Sequence, residues 1–247
     1  MQRFIKLLLI ISAVLILAQL VLMGIAADGI FEYIPYEEFF ATSGAITVFF
    51  LAFAAGCGLF IFGIISNYHG SKSIYTLMTL PQDRSKLYYS KLISGSMIFL
   101  GLVTAQMISA LLGHGLFAPK IQRMIPETSP YGGQIIFEHA KNGLFLAFVR
   151  SSFLRILYPL GMESFVSTVT IFISFLCGLY YGILCERSRK YIGIVPAIAQ
   201  IGYSIYVLNY RVNAHHGYDS QNLYIHSLVM MIFAGFFVWN SLRLIHK

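Results

Sequence analysis

Charge is scarce in this sequence, and it is distributed unevenly. Lys and Arg number 17 and Asp and Glu number 10, so charged residues make up 11% of the 247 residues. A soluble domain carries roughly 25%. None of these charged side chains falls within six apolar runs, each long enough to cross a bilayer. The absence of charge from all six runs excludes a soluble globular domain.

Several motifs with defined chemistry are also missing. The three cysteines, Cys57, Cys177 and Cys185, form no C-x-x-C pair and have no metal-ligand spacing, so we interpret them as small packing residues. No G-x-x-x-x-G-K-[S/T] run is present, so the chain lacks the loop that cradles ATP phosphates. No H-E-x-x-H run is present, which excludes a zinc protease of that type.

The six apolar runs themselves predict the fold. Each has roughly 19–22 residues, which at 1.5 Å per residue spans about 30 Å of hydrocarbon. They predict an all-α polytopic membrane protein with one transmembrane domain over residues 1–247. The predicted spans cover residues 7–27, 44–65, 92–113, 164–184, 191–209 and 223–242.

The basic residues are sorted to one side of these spans. If the N-terminus is cytoplasmic, the two short outer loops contain one basic residue, Arg211, and the inner segments contain most of the others. This pattern predicts that both termini lie in the cytoplasm, and it explains the net charge of +7 without a nucleic-acid partner. The inner basic residues are Arg3, Lys6, Lys72, Arg84, Lys86, Lys91, Arg187, Arg189, Lys190, Arg243 and Lys247.

A long outer segment, residues 114–163, separates the third and fourth spans. Its part 116–142 is rich in Pro and Gly and predicts a loop with short turns. Residues 143–160 are apolar but include Arg150 and Arg155, which predicts an interfacial amphipathic helix on the extracellular side. The alternative is a seventh span, which would bury both arginines and move the basic cluster after the fourth span outside.

Polar residues at span depth are few. Gln19, Gln106 and Gln200 are candidates for a substrate path, or for hydrogen bonds between helices. In the first outer loop, we expect Glu37 and Glu38 to be solvated.

The inner loop after the second span contains a short amphipathic segment. Ser71 is a helix-capping residue type and Pro81 stops a helix. Between them, Ile74, Leu77 and Met78 share one face, so the segment predicts a helix that docks on a partner or on lipid headgroups.

The run Tyr75-Thr-Leu-Met-Thr-Leu-Pro81, followed by Arg84 and by Ser90-Lys-Leu-Ile93, resembles the corresponding loop of ABC-2-type permeases. These are the membrane subunits of bacterial ATP-binding-cassette exporters. Within the family, the chain is most similar to exporters of phenol-soluble modulins, which release amphipathic peptides. The resemblance implies a coupling helix that binds the ATPase subunit through Ile74, Tyr75, Leu77, Met78, Leu80, Pro81 and Arg84.

The same resemblance implies the assembly. Two copies of a separate ATPase subunit would carry ATP and Mg²⁺, and a second copy of this chain or a paralogue would complete the path in the bacterial plasma membrane. This chain would be no enzyme and would bind no cofactor or metal itself.

Three other functions remain as alternatives. A non-transporting sensor subunit would use the same docking helix. An ion-coupled carrier normally needs a charge within a span, and none is present. A membrane enzyme would need a site such as His226 beside Ser227, or a metal at His215, His216 and Asp219.

Overall fold

The structure, a computed structural model, describes residues 2–29, 33–69, 84–122, 142–189, 191–213 and 220–246. These residues are helical apart from short connections, and they include no strand. The helices are α1 (Gln2–Asp28), α2 (Tyr36–Thr42), α3 (Ala45–His69), α4 (Arg84–Gln122), α5 (Gly143–Arg150), α6 (Ser152–Leu157), α7 (Met162–Arg187), α8 (Val195–Asn213) and α9 (Ser220–His246), with a 3₁₀ helix at Tyr191–Ile194 before α8.

Six of these helices, α1, α3, α4, α7, α8 and α9, are long and apolar enough to cross a membrane. The predicted all-helical fold is therefore confirmed for the described residues, and the six long apolar helices are those of a multi-pass membrane protein. The cytoplasmic position of the termini stays a prediction. Four of the six helices extend beyond both ends of the predicted run, whereas α3 and α8 begin inside theirs and end beyond them. A helix end is set by capping and packing rather than by the first charged residue.

The largest difference concerns α4. Its 39 residues correspond to about 58 Å of helix, about twice the thickness of the hydrocarbon core. The prediction of a loop from residue 116 onward was wrong for residues 116–122, where the helix continues through Pro119. Ile121 is buried there, Phe117 packs against the same core, and Lys120 pairs with Asp28 at 2.6 Å. These contacts offset the backbone hydrogen bond that proline removes.

The helices divide into two compact units. Unit 1 contains Met1–Gly58 and Ile98–Tyr158, and unit 2 contains Leu59–Met97 and Pro159–Lys247. Helices α3 and α4 are each divided between the two units, α3 after Gly58 and α4 before Ile98. The prediction of one transmembrane domain stays a prediction.

Unit 1 buries the connection between α1 and α3. The short helix α2 places Tyr36, Phe39 and Phe40 in a core with Met23 and Ala110. Gly44 then turns the chain into α3 with a φ of 81°, a left-handed conformation that favours glycine. The segment that we expected to be a solvated loop is therefore part of a hydrophobic core.

The apolar segment after residue 142 forms two helices. The prediction of a single helix over 143–160 was wrong, because Ser151 between α5 and α6 has an extended backbone with a ψ of 121°. The Ser151 hydroxyl accepts a hydrogen bond from the Leu154 amide at 3.4 Å and so caps α6. Since the 8 residues of α5 cover only about 12 Å, neither helix is a seventh span.

Unit 2 is built on the pairing of α7 with α9. Cys177 and Cys185 of α7 pack in one core with Phe237 of α9 and Ala197 of α8. Gly178 permits this approach, since a Cβ atom there would lie 3.2 Å from the Phe237 ring. The C-terminal ends of α7 and α9 lie beside the start of α8, as expected for spans that alternate in direction.

Candidate functional site

Most of the predicted coupling residues lie outside the described part of the chain. These are Ile74, Tyr75, Leu77, Met78, Leu80 and Pro81. Arg84 is the first residue of α4, and His69 is the last residue of α3. The structure describes the two helix ends that flank the segment in the chain.

A lysine joins the two helices that flank the coupling segment. The Nζ atom of Lys91 on α4 donates a hydrogen bond to the carbonyl oxygen of Gly63 on α3, at 3.3 Å. This bond joins α4 to α3 about two helical turns from the helix ends that flank the segment.

Aromatic stacking fixes the same end of α4 to α7. Tyr88 is fully buried, and its ring stacks on Tyr180 of α7 with centroids 4.9 Å apart and an interplanar angle of 10°. Phe60 of α3 meets the same Tyr180 ring edge-on, at 6.2 Å. Offset stacking and edge-to-face contacts are the favoured arrangements of aromatic pairs.

Close helix packing completes this group. A Cβ atom at Gly95 would lie 2.5 Å from the Phe60 ring and 2.9 Å from a methyl group of Leu176, so only glycine fits. We call this group the coupling frame, and it consists of Phe60, Gly63, Tyr88, Lys91, Gly95 and Tyr180.

The sequence prediction missed most of this frame, although a signal was present. Tyr88, Lys91 and Gly95 follow the i, i+3, i+7 spacing of one helix face. The partners Phe60 and Tyr180 lie far away in sequence, and no local spacing identifies them.

Two of the predicted path glutamines meet in unit 1. The Nε2 atom of Gln19 donates hydrogen bonds to Gln106 Oε1 and to the carbonyl oxygen of Ala45, both at 2.7 Å. Both glutamines are fully buried, and together they connect α1, α3 and α4. This geometry fits the alternative of interhelical hydrogen bonding, while a role in a substrate path stays a prediction.

Gln200 belongs to unit 2 and is also buried. Its Nε2 atom donates to the hydroxyl of Ser204 on the same helix at 3.0 Å, and that hydroxyl donates to the Gln200 carbonyl at 2.9 Å. Its Oε1 atom lies beside Gly178 of α7. The side chain is thus held at the packed contact between α7 and α8.

The two arginines of the outer segment lie in unit 1. Arg150 Nη1 is 3.7 Å from Glu37 Oε1, and the Glu37 side chain is only 16% exposed. The expectation that Glu37 is solvated was therefore wrong, whereas Glu38 is exposed. Arg155 on α6 is half-buried. Their position relative to a membrane interface stays a prediction.

Two tyrosine hydroxyls hold the short helices of unit 1 against α4. Tyr36 donates to the Ala110 carbonyl at 2.7 Å, and Tyr158 donates to the Val103 carbonyl at 2.5 Å. Burial raises the pKa of both tyrosines above the ordinary value of 10.0. Both hydroxyls therefore stay protonated and act as donors at physiological pH.

In the described part of the chain, no three His, Cys, Asp or Glu side chains converge as a metal site would require. His215, His216 and Asp219 lie outside that part. Comparison of the chain with protein-family models, curated proteins and solved structures found no match. The function is therefore inferred from the helix packing described above and from the short inner-loop motif.

Proposed function

We propose that this protein is the transmembrane permease subunit of an ATP-binding-cassette exporter. The coupling frame is the observation that carries the proposal. It holds the two helix ends on either side of residues 70–83, which include the segment similar to an ABC-2 coupling helix.

The frame supports the proposal because it suits the transmission of force. A partner that displaces residues 70–83 would move α3 and α4 together, because Lys91 of α4 is hydrogen-bonded to the Gly63 carbonyl oxygen of α3. It reaches α7 through the stack of Tyr88 on Tyr180. Closely packed interiors transmit displacement instead of absorbing it.

The energy source would be a separate subunit. Because the sequence lacks a phosphate-binding loop, two copies of an ATPase subunit would supply ATP and Mg²⁺ binding and hydrolysis. A second copy of this chain or a paralogue would complete the transport path. The six charge-free runs suit an amphipathic peptide or another hydrophobic cargo.

The orientation we propose places both termini and the coupling segment in the cytoplasm of a bacterium, with α2 and α5 outside its plasma membrane. Single cysteines at two exposed positions test it, Glu38→Cys on α2 and Ser188→Cys after α7. A membrane-impermeant maleimide should label Glu38→Cys in intact cells and Ser188→Cys only after permeabilisation. The reverse pattern would overturn the orientation.

A matched pair of substitutions tests the docking segment. At 100° per residue, Leu77 lies on the apolar face of the predicted helix and Thr76 lies on the opposite face. We expect Leu77→Asp to abolish co-purification of ATPase activity with the tagged chain, and Thr76→Asp to leave it unchanged. The two variants add the same charge, so membrane insertion should be equal.

Two results would contradict the proposal. Retention of the ATPase by Leu77→Asp would remove the segment from the docking site. A partner without ATPase activity that depends on Leu77 would support the sensor alternative instead.

A further inference from the structure

Unit 2 contains a cavity of about 680 Å³ at the C-terminal ends of α7 and α9. Its wall combines cationic, polar and apolar side chains from α7, the 3₁₀ helix and α9. The lining residues that matter here are Arg189, Arg243, Tyr181, Asn240, Tyr191 and Ile192. None of them belongs to the coupling frame.

Two guanidinium groups dominate the charge of this cavity. Among the described residues, no carboxylate lies within salt-bridge distance of Arg189 or Arg243. The Arg243 guanidinium carbon instead lies 4.9 Å from the centre of the Trp239 ring, a cation–π contact that holds the group at the cavity edge. Two arginines without acidic partners attract an anion with several acceptor oxygens.

The backbone at Arg189 is an independent sign that its side chain is used. Its φ is 53°, the left-handed conformation that ends many helices and that glycine adopts most easily. An arginine occupies this unfavourable position immediately after α7, and its side chain lines the cavity. The conformation thus places a cation where glycine would satisfy the backbone better.

The surroundings of the cavity indicate a membrane-surface ligand. The candidate spans of α7, α8 and α9 end or begin at Arg187, Tyr191 and Ile245. A bilayer crossed by these helices would therefore have its headgroup region at the level of the cavity. At its wall Ile192 is 89% exposed, and Tyr191 and the adjacent Trp239 are also exposed. Exposed aromatic residues at span ends are typical of the membrane interface.

We propose that this cavity binds the phosphate headgroup of an anionic phospholipid. The guanidinium groups of Arg189 and Arg243 bind the phosphate oxygens, and the Tyr181 hydroxyl and Asn240 amide supply further polar contacts. The exposed Ile192 and Tyr191 contact the start of the acyl chains. Basic pockets between spans on the cytoplasmic side are suited to anionic headgroups.

Trp239 makes the proposal directly measurable, because it is the one tryptophan in the sequence and it contacts Arg243. The full chain in nanodiscs would be titrated with brominated phosphatidylglycerol or brominated phosphatidylcholine, which quench nearby tryptophan fluorescence. We expect half-maximal quenching by phosphatidylglycerol at a mole fraction about 25 times lower than by phosphatidylcholine, since each of the two arginines favours an anionic headgroup about fivefold.

A matched pair of variants locates the effect. Arg189→Gln leaves the Arg243–Trp239 contact intact and should reduce the preference for phosphatidylglycerol by about fivefold. Arg187→Gln removes the same charge two residues away, from a side chain that does not line the cavity, and should leave the preference unchanged.

Three outcomes would overturn the proposal. Equal quenching by the two lipids would show that the cavity does not select a headgroup charge. Equal losses in Arg189→Gln and Arg187→Gln would show a general surface attraction. Reversal of the phosphatidylglycerol effect by millimolar inorganic phosphate would assign the cavity to free phosphate instead of a lipid.

Discussion

The two units use the residues outside their charge-free runs in opposite ways. Unit 1 folds its connecting segments back on the long helices, and α2, α5 and α6 bury aromatic side chains in a shared core. In unit 2, Lys91 and Tyr88 join the start of α4 to α3 and α7. Arg189 and Arg243 of the same unit have no acidic partner among the described residues. The first arrangement buries connecting segments in a core, and the second leaves two arginines at the wall of a cavity.

This difference assigns separate roles to two buried tyrosines. Tyr36 in unit 1 donates to the Ala110 carbonyl, whereas Tyr88 in unit 2 stacks on Tyr180. Both are large buried side chains, so either alanine variant destabilises the protein. Only the loss of Tyr88 should also disturb the flanks of the coupling segment.

The largest effect is expected from these alanine variants. We expect Tyr36→Ala and Tyr88→Ala each to lower stability by about 3–5 kcal/mol, through lost burial and a residual cavity. ATPase association per folded molecule should fall in Tyr88→Ala only. Thermal unfolding in detergent and quantitative co-purification measure the two effects.

The conservative variant Tyr36→Phe serves as control, since it loses one hydrogen bond and should lower stability by about 1 kcal/mol. A fall of ATPase association in Tyr36→Ala as large as in Tyr88→Ala would remove the distinction between the units.

An intermediate effect is expected at the buried glutamines of unit 1. Gln19→Leu leaves Gln106 and the Ala45 carbonyl without their donor and should lower stability by about 1–3 kcal/mol. The double variant Gln19→Leu/Gln106→Leu removes both amides and should be more stable than either single variant. A double-variant cycle of thermal unfolding measures this coupling.

Transport by the double variant separates the two interpretations of these glutamines. Interhelical bonding predicts that export persists once stability is restored. A stable double variant that no longer exports would show that the amides line the path of the cargo.

The smallest changes in stability are expected at two glycines of α4. A Cβ at Gly95 in unit 2 would lie 2.5 Å from the Phe60 ring, whereas a Cβ at Gly115 in unit 1 would meet no atom within 4 Å. We expect Gly95→Ala to lower stability by about 1–2 kcal/mol. Gly115→Ala should not lower stability, because the added methyl group enters open space and alanine favours the helix. Equal shifts of the unfolding temperature in the two alanine variants would contradict this expectation.

The existence of the six spans was predictable from sequence because exclusion of charge from hydrocarbon is a strong and local constraint. The full length of α4 was not predictable in this way. Its last turns are held by Ile121 in the core and by Lys120 on Asp28, and these contacts join residues far apart in the chain.

The short helices of unit 1 were missed for the same reason. Nothing local in the first outer loop shows that Tyr36 will bond the Ala110 carbonyl or that Glu37 will approach Arg150. The break at Ser151 was also missed, because the apolar residues continue on both sides of it. Segments outside the spans follow tertiary packing, which hydropathy does not report.

The candidate site was predictable only in part. The inner-loop motif predicts a docking segment at residues 74–81, which lie outside the described residues and stay a prediction. The coupling frame depends on Phe60 and Tyr180, which come from two other helices. The arginine cavity was not predicted either, since Arg189 and Arg243 counted only as markers of the inner side.

Isolation of the tagged chain, without substitutions, from its native membranes and mass spectrometry of the accompanying proteins would test the exporter assignment most directly. We expect a stoichiometric subunit that contains a G-x-x-x-x-G-K-[S/T] loop and hydrolyses ATP. A stable complex without any such subunit would contradict the assignment as an exporter permease.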